Sequence, residues 1–143
     1  MKTVRQLLDS KGYETLSVKP DANVFDALLI MAEKHIGALV VLEDDGHLAS
    51  IFSERDYARE VALKGKTSKT TKVAEVMSTK VITVTPEQLT DECMELMSGK
   101  RIRHLPVVEN GRVIGILSIG DLVKETIAYQ QFLIQQLEHY IQN

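Results

Sequence analysis

Two short runs, Ser53-Glu54-Arg55-Asp56 and Ser118-Ile119-Gly120-Asp121, each set a hydroxyl three positions ahead of a carboxylate. Both follow an apolar run, so both stand where a strand gives way to a helix. Ser at an N-cap with an acid at N3 forms a capping box, which serves simply to start a helix. The same arrangement also suits recognition. A carboxylate in the first helical turn can accept both hydroxyls of a ribose, and the serine hydroxyl with the N–H groups of a helix start suits a phosphate. Gly120, in the second run only, lets a ligand approach the backbone closely.

Lys100-Arg101-Ile102-Arg103-His104 supplies the charge such a ligand would need. Basic residues at a helix end complement the dipole and need no further reason. Arg101 and Arg103, however, flank Ile102 directly before an apolar strand, a confined place for a merely solubilising charge. Arg forks grip phosphate bidentately, and His104 can donate to a phosphate or stack on a ring. The corresponding run, Lys34-His35-Ile36-Gly37-Ala38, lacks two of these cationic positions. Its small Gly37 and Ala38, beside Ile36, leave room for an adenine or a ribose. The reading is one stronger site, with Ile36, Gly37, Ala38, Arg101, Arg103, His104, Ser118, Gly120 and Asp121, and a second, weaker site at Ser53 and Asp56.

The elements that must position these residues are written twice. ALVVLEDDGHLASIFSERD (38–56) and HLPVVENGRVIGILSIGD (104–121) both run apolar strand, acidic turn with Gly, apolar strand, Ser-x-x-Asp. With one gap at the turn, Val18 aligns with Val84, Pro20 with Pro86, Met31 with Met97, Leu39 with Leu105, Gly46 with Gly111, and Asp56 with Asp121. Internal repetition on this scale implies two similar units about a pseudo-twofold axis. Each reads strand, helix, strand, hairpin, strand, helix, with Asn110-Gly111 a strong hairpin signal. In the second unit Val81–Val84 is expected as a strand, and Thr85-Pro86-Glu87-Gln88 as a capped helix start with Pro in its first turn. Thr3–Leu8 is expected as a short capped helix, mirrored by 73–77. The expected organisation is a first repeat at 1–64, a linker at 65–72, a second repeat at 73–127 and a helical extension at 128–143. On that helix Val123, Ile127, Ile134, Leu137 and Ile141 fall on heptad-like spacing, which points to a homodimer.

Several functions are disfavoured. A net charge of -3 argues against generic nucleic-acid binding. The single Cys93 excludes an internal disulfide and aligns with Ala27 on an apolar helix face, so it reads as core. His35, His47 and His139 read as surface residues with no partner at metal-ligand spacing. No apolar run approaches a membrane span, and no signal peptide is expected. A reducing cytoplasm is the expected home. With no nucleophile-base order and no Gly-rich phosphate loop, neither an enzyme nor a catalytic cofactor or metal is expected.

From Val4 to about Ile127 the pattern resembles the tandem cystathionine β-synthase (CBS) domain pair, or Bateman module. It is particularly similar to stand-alone bacterial pairs carrying "RHLPVV" and "SIGD" in the second repeat. The resemblance implies an α/β fold of two pseudo-twofold β-α-β-β-α repeats followed by a long C-terminal helix. It also implies a regulatory sensor binding an adenine nucleotide (AMP, ATP or NAD(H)) between the repeats, with Asp121 on the ribose. The loop before the first strand, with Tyr13 and Thr15, would close that site. Flat homodimers and an unidentified regulated protein are the implied partners. The competing reading is a structural interaction module with a vestigial cleft. Val40, where the family carries Pro, and the bare Gly37-Ala38 favour that reading.

Overall fold

A computed structural model describes residues 2–78 and 80–142. Met1, Thr79 and Asn143, and with them the outer ends of the expected first repeat and helical extension, lie outside the described residues. The order is α1 (Val4–Lys11), β1 (Ser17–Val18), α2 (Val24–Lys34), β2 (Ala38–Leu42), β3 (Leu48–Ser53), and α3 (Glu54–Tyr57), which runs on as a π-helical turn at Ala58–Ala62. There follow α4 (Val73–Val76), α5 (Thr90–Lys100), β4 (His104–Glu109), β5 (Arg112–Ser118) and α6 (Ile119–Gln142). This is the mixed α/β repeat expected, with a long final helix.

Each apolar pair of runs closes into an antiparallel hairpin, β2–β3 and β4–β5. Asn110 and Gly111 both take positive φ (52° and 77°), as a two-residue turn matched to strand twist requires. The strand that precedes each hairpin differs between the halves. β1 lies parallel to β2, with Ser17 opposite Val40 and Val18 opposite Val41. The expected strand at Val81–Val84 contracts to a single parallel bridge between Val84 and Val107. The cause is the residue at which the two repeats diverge. Val40 N–H donates to Leu16 O (3.3 Å) and extends the ladder. Pro106, its counterpart, has no N–H to offer and so ends it.

Helix starts also depart from expectation. Thr85–Gln88 is a turn, not the first turn of a helix, and α5 begins at Thr90. Gln88 Oε1 accepts from Thr85 N–H (2.8 Å), so the capping side chain is used, but to close the turn. The carbonyls that a continuing helix would have used accept instead from α1. Val4 N–H donates to Gln88 O and Arg5 N–H to Pro86 O, both at 2.8 Å, while Thr90 N–H donates to Lys2 O (2.9 Å). α4 does the same to the first half: Val73 N–H donates to Ala22 O, Ala74 N–H to Pro20 O, and Val24 N–H to Thr71 O, each at 2.9 Å. The segment expected as a plain linker therefore caps α2, and its Thr71 is buried.

Each leading helix thus docks on the other half. The apolar interior follows suit, as two clusters, each completed by the leading helix of the other half. Val4, Leu7 and Leu8 of α1 pack with Val84, Cys93, Met97, Leu105, Val107, Leu117 and Leu122. Val73 and Val76 of α4 pack with Val24, Ala27, Met31, Leu39, Val41, Phe52 and Val61. Cys93 and Ala27 both have no exposed surface. Burial pushes the Cys93 thiol up to about 11, with Glu92 adding to it, so it is an inert core residue. Arg5 braces the α1 contact through ion pairs with Glu87 and Glu109.

A chain of residues 1–64 lacks α4 and leaves Val4, Leu7 and Leu8 without a cluster. It is expected to show no cooperative unfolding transition by circular dichroism in urea; a two-state transition would refute the interlocked core. At the α1 contact, a Cβ on Gly115 would lie 2.8 Å from Leu8 Cδ2, inside a buried side chain. Gly115→Val is expected to cost about 1–3 kcal/mol in urea unfolding through overpacking.

Candidate functional site

The exchange of leading helices sets two cavities at the junction of the halves. One, of about 530 Å3, lies against Ser53–Asp56 and the Lys100–His104 run, with Ser78 and Lys80 entering from the start of the second repeat. The other, of about 460 Å3, lies against Ser118 and Asp121, with Lys11, Gly12, Glu14 and Leu16 on one side and Lys34 to Ala38 on the other. They are pseudo-equivalent, and Gly37 and His104 belong to both.

At each helix start the capping box is present. Ser53 N–H donates to Asp56 Oδ2 (2.9 Å) and Asp56 N–H to Ser53 Oγ (3.2 Å). Ser118 N–H donates to Asp121 Oδ2 (2.8 Å) and Asp121 N–H to Ser118 Oγ (3.1 Å). Glu54 N–H and Ile119 N–H are also taken, by Gly37 O (3.0 Å) and Arg103 O (2.8 Å). The structural role of these motifs is therefore satisfied within the chain, and three of the four N–H groups from the cap onward are already used at each helix start.

The carboxylates differ in one decisive respect. Lys11 Nζ, carried across on α1, donates to Asp121 Oδ2 at 2.6 Å and also to Ile116 O. Burial by itself would raise the Asp121 carboxyl, but Lys11 and the Ser118 N–H outweigh it and hold the group below its ordinary value. Asp56 has no such cation among the described residues. Its cavity is nevertheless strongly cationic: Arg55, Arg59, Lys80, Lys100, Arg101 and Arg103 stand against Glu54 and Asp56. Arg55 Nη1 donates to Arg101 O (3.1 Å), tying the two runs together. The Asp121 cavity is balanced, Lys11 and Lys34 against Glu14 and Asp121.

The single site expected from the sequence is thus divided. Arg101 and Arg103 join Ser53 and Asp56, in the cavity expected to be the weaker one. Ile36, Ala38, Ser118 and Asp121 line the other. The space opposite Gly37 holds the His104 ring, whose Cε1 would lie 3.6 Å from a Cβ placed there. That is ordinary contact distance, so Gly37 packs beside an imidazole while also lining both cavities. Tyr13, Thr15 and Gly120 line neither cavity; Tyr13 is turned back onto Asp9 (2.5 Å) and Thr15 Oγ1 donates to Tyr13 O (3.1 Å). His35, read as a surface residue, lines the Asp121 cavity while remaining exposed. Lys11 and Lys80 escaped notice because each lies near the start of its own repeat yet lines the cavity at the Ser-x-x-Asp run of the other. Lys11 ends α1, and Lys80 lies a few residues beyond α4. No group of side chains able to hold a metal ion occurs among the described residues.

Comparison with known proteins decides the family. The family model for the CBS domain matches residues 6–63 and again 73–127. The chain belongs to the CBS-domain family. The CBS pair is a regulatory module. A curated relative, the mitochondrial CBS domain-containing protein CBSX3 of Arabidopsis thaliana, is 39% identical over 98% of this chain and 72% of its own length. A solved CBS-domain protein from Burkholderia ambifaria is 50% identical, with a TM-score of 0.84 over 89% of this chain and 95% of its own. The CBS domain pair of protein MJ0100 shares the fold at 23% identity and a TM-score of 0.80, over 90% of this chain and 98% of its own, and that protein was solved with 5′-methylthioadenosine and S-adenosyl-L-methionine. These relatives are named for their CBS domains and not for a catalysed reaction. No helix among the described residues is long and apolar enough to cross a membrane.

The His104 that stands between the CBS cavities is held neutral: burial, then Lys11 and Arg103, depress it below 6.5, against the pull of Asp121. Its unfolded form binds a proton first, so this contribution to stability is complete above pH 6.5 and is lost as pH falls below it. The urea midpoint is expected to fall between pH 7 and pH 5 in the parent chain and to fall less in His104→Gln; parallel profiles would refute this.

Proposed function

We propose that this CBS pair is a regulatory sensor that binds an adenine nucleotide, AMP, ATP or NAD(H), in the cleft between its repeats. The phosphates lie in the Arg101–Arg103 cavity, with Asp56 as the acceptor for ribose. The observation that carries this reading is the electrostatic contrast. A chain of net charge -3 gathers six basic against two acidic side chains around one cavity of nucleotide size. A cleft lined mainly by one sign of charge focuses such a field toward polyphosphate. The adenosine ligands of the MJ0100 pair support the class of ligand. The module acts without catalysis, as a homodimer, in a reducing cytoplasm, and passes occupancy to a regulated protein. A vestigial cleft is favoured by one observation only, the Lys11–Asp121 pair, and that concerns the second cavity.

Isothermal calorimetry with AMP, ATP and NADH tests the reading. A charged hydrogen bond contributes about 1.5–3 kcal/mol, so Arg101→Ala and Arg103→Ala are each expected to weaken the tightest ligand about tenfold or more. Asp121→Ala is expected to have a smaller effect. Unchanged affinity in both arginine variants, or no binding by any of the three ligands, would overturn it.

A further inference from the structure

Beyond Tyr129, α6 leaves the body of the protein. Leu122 is buried and Glu125 and Tyr129 are half-buried, whereas every described residue from 130 onward is exposed. A helix of that free length is marginal in water without a surface to cover it. Its apolar residues form two rows. The first steps by four and three from Val123 through Ile127, Gln130, Ile134 and Leu137 to Ile141. In heptad terms this places Ile127, Ile134 and Ile141 at a, and Val123, Gln130 and Leu137 at d. The second row is Leu133 and Tyr140, 41% and 81% exposed. At 3.6 residues per turn they lie on the same side of α6 as Leu122, the side that faces the body. In one copy no body stands beside them.

We propose that α6 pairs antiparallel with α6 of a second copy, centred near Phe132. This deepens the homodimer reading above. Antiparallel pairing lays the tail of each copy along the body of the other, which covers Leu133 and Tyr140. It also sets Lys124 of each copy against Glu138 of the other, two opposite-charge contacts related by the twofold axis. A parallel pair would carry both tails away from both bodies, leave Tyr140 in solvent and set Leu133 beside Glu138. The self-complementary rows therefore select the antiparallel form.

Two measurements on the full chain test this. In sedimentation equilibrium Ile134→Asp is expected to raise the dimer dissociation constant at least tenfold, with AMP, ATP and NADH affinity per chain and the unfolding of the body retained. A spin label on Gln142→Cys, with the buried Cys93 unlabelled, is expected to report a separation of about 30 Å, from ten residues on either side of the centre at 1.5 Å each. A separation of about 10 Å, the spacing of paired parallel helices, would overturn the pairing. An Ile134→Asp chain that dimerises as before would overturn it while leaving the homodimer standing. A monomeric parent chain would overturn both, and neither result bears on nucleotide affinity.

Discussion

The backbone hydrogen bonds at the starts of α1 and α4 are the constraint on which the rest of this structure depends. A helix start carries N–H groups with no partner inside the helix, and leaving them buried and unpaired costs stability. Here they find the carbonyls of Pro86 and Gln88, and of Pro20 and Ala22, each time in the opposite half. The apolar faces follow the backbone, so Leu8 completes the second cluster and Val76 the first. Neither half can then bury its interior alone. The same crossing decides which charges meet, because a residue just after a leading helix emerges in the cavity of the other repeat.

Electrostatics breaks the symmetry that topology creates. Lys11 and Lys80 each line the cavity at the other repeat's Ser-x-x-Asp run, yet Lys11 is locked onto Asp121 and the Ile116 carbonyl, while Lys80 joins an array of unmatched cations. One cavity has its charge neutralised from within. The other keeps an excess of cations. Duplication has produced two similar volumes of different charge, and the difference comes from Arg55, Arg59, Arg101 and Arg103, which line only one of them.

The repeat, the hairpins, the Ser-x-x-Asp helix starts and the long final helix were all legible in the sequence, because each is a local pattern with a short-range cause. The failures share the opposite property. Grouping Arg101 and Arg103 with Asp121 assumed that charge and carboxylate from the same repeat would meet, whereas the fold brings Arg101 to Arg55 and Asp121 to Lys11. Reading Thr85–Gln88 as a helix start was a sound inference from its residues, defeated by a demand for carbonyls from a segment more than eighty residues earlier. Gly37 was singled out as small, but the sequence held no hint that His104 packs beside it from the other repeat. Val40, read as a departure weakening the site, instead supplies the N–H that lets β1 pair at Ser17.

The position of His104 has a thermodynamic consequence. Its ring forms part of the lining of both cavities and rests against Gly37, so a rotation that enlarges one cavity intrudes on the other. Occupants that displaced this ring in opposite directions would therefore be linked. Whatever factor the first imposes on the affinity of the second is returned in full, whichever arrives first. The two chambers share a wall, and a change in the shape of one is a change in the lining of the other.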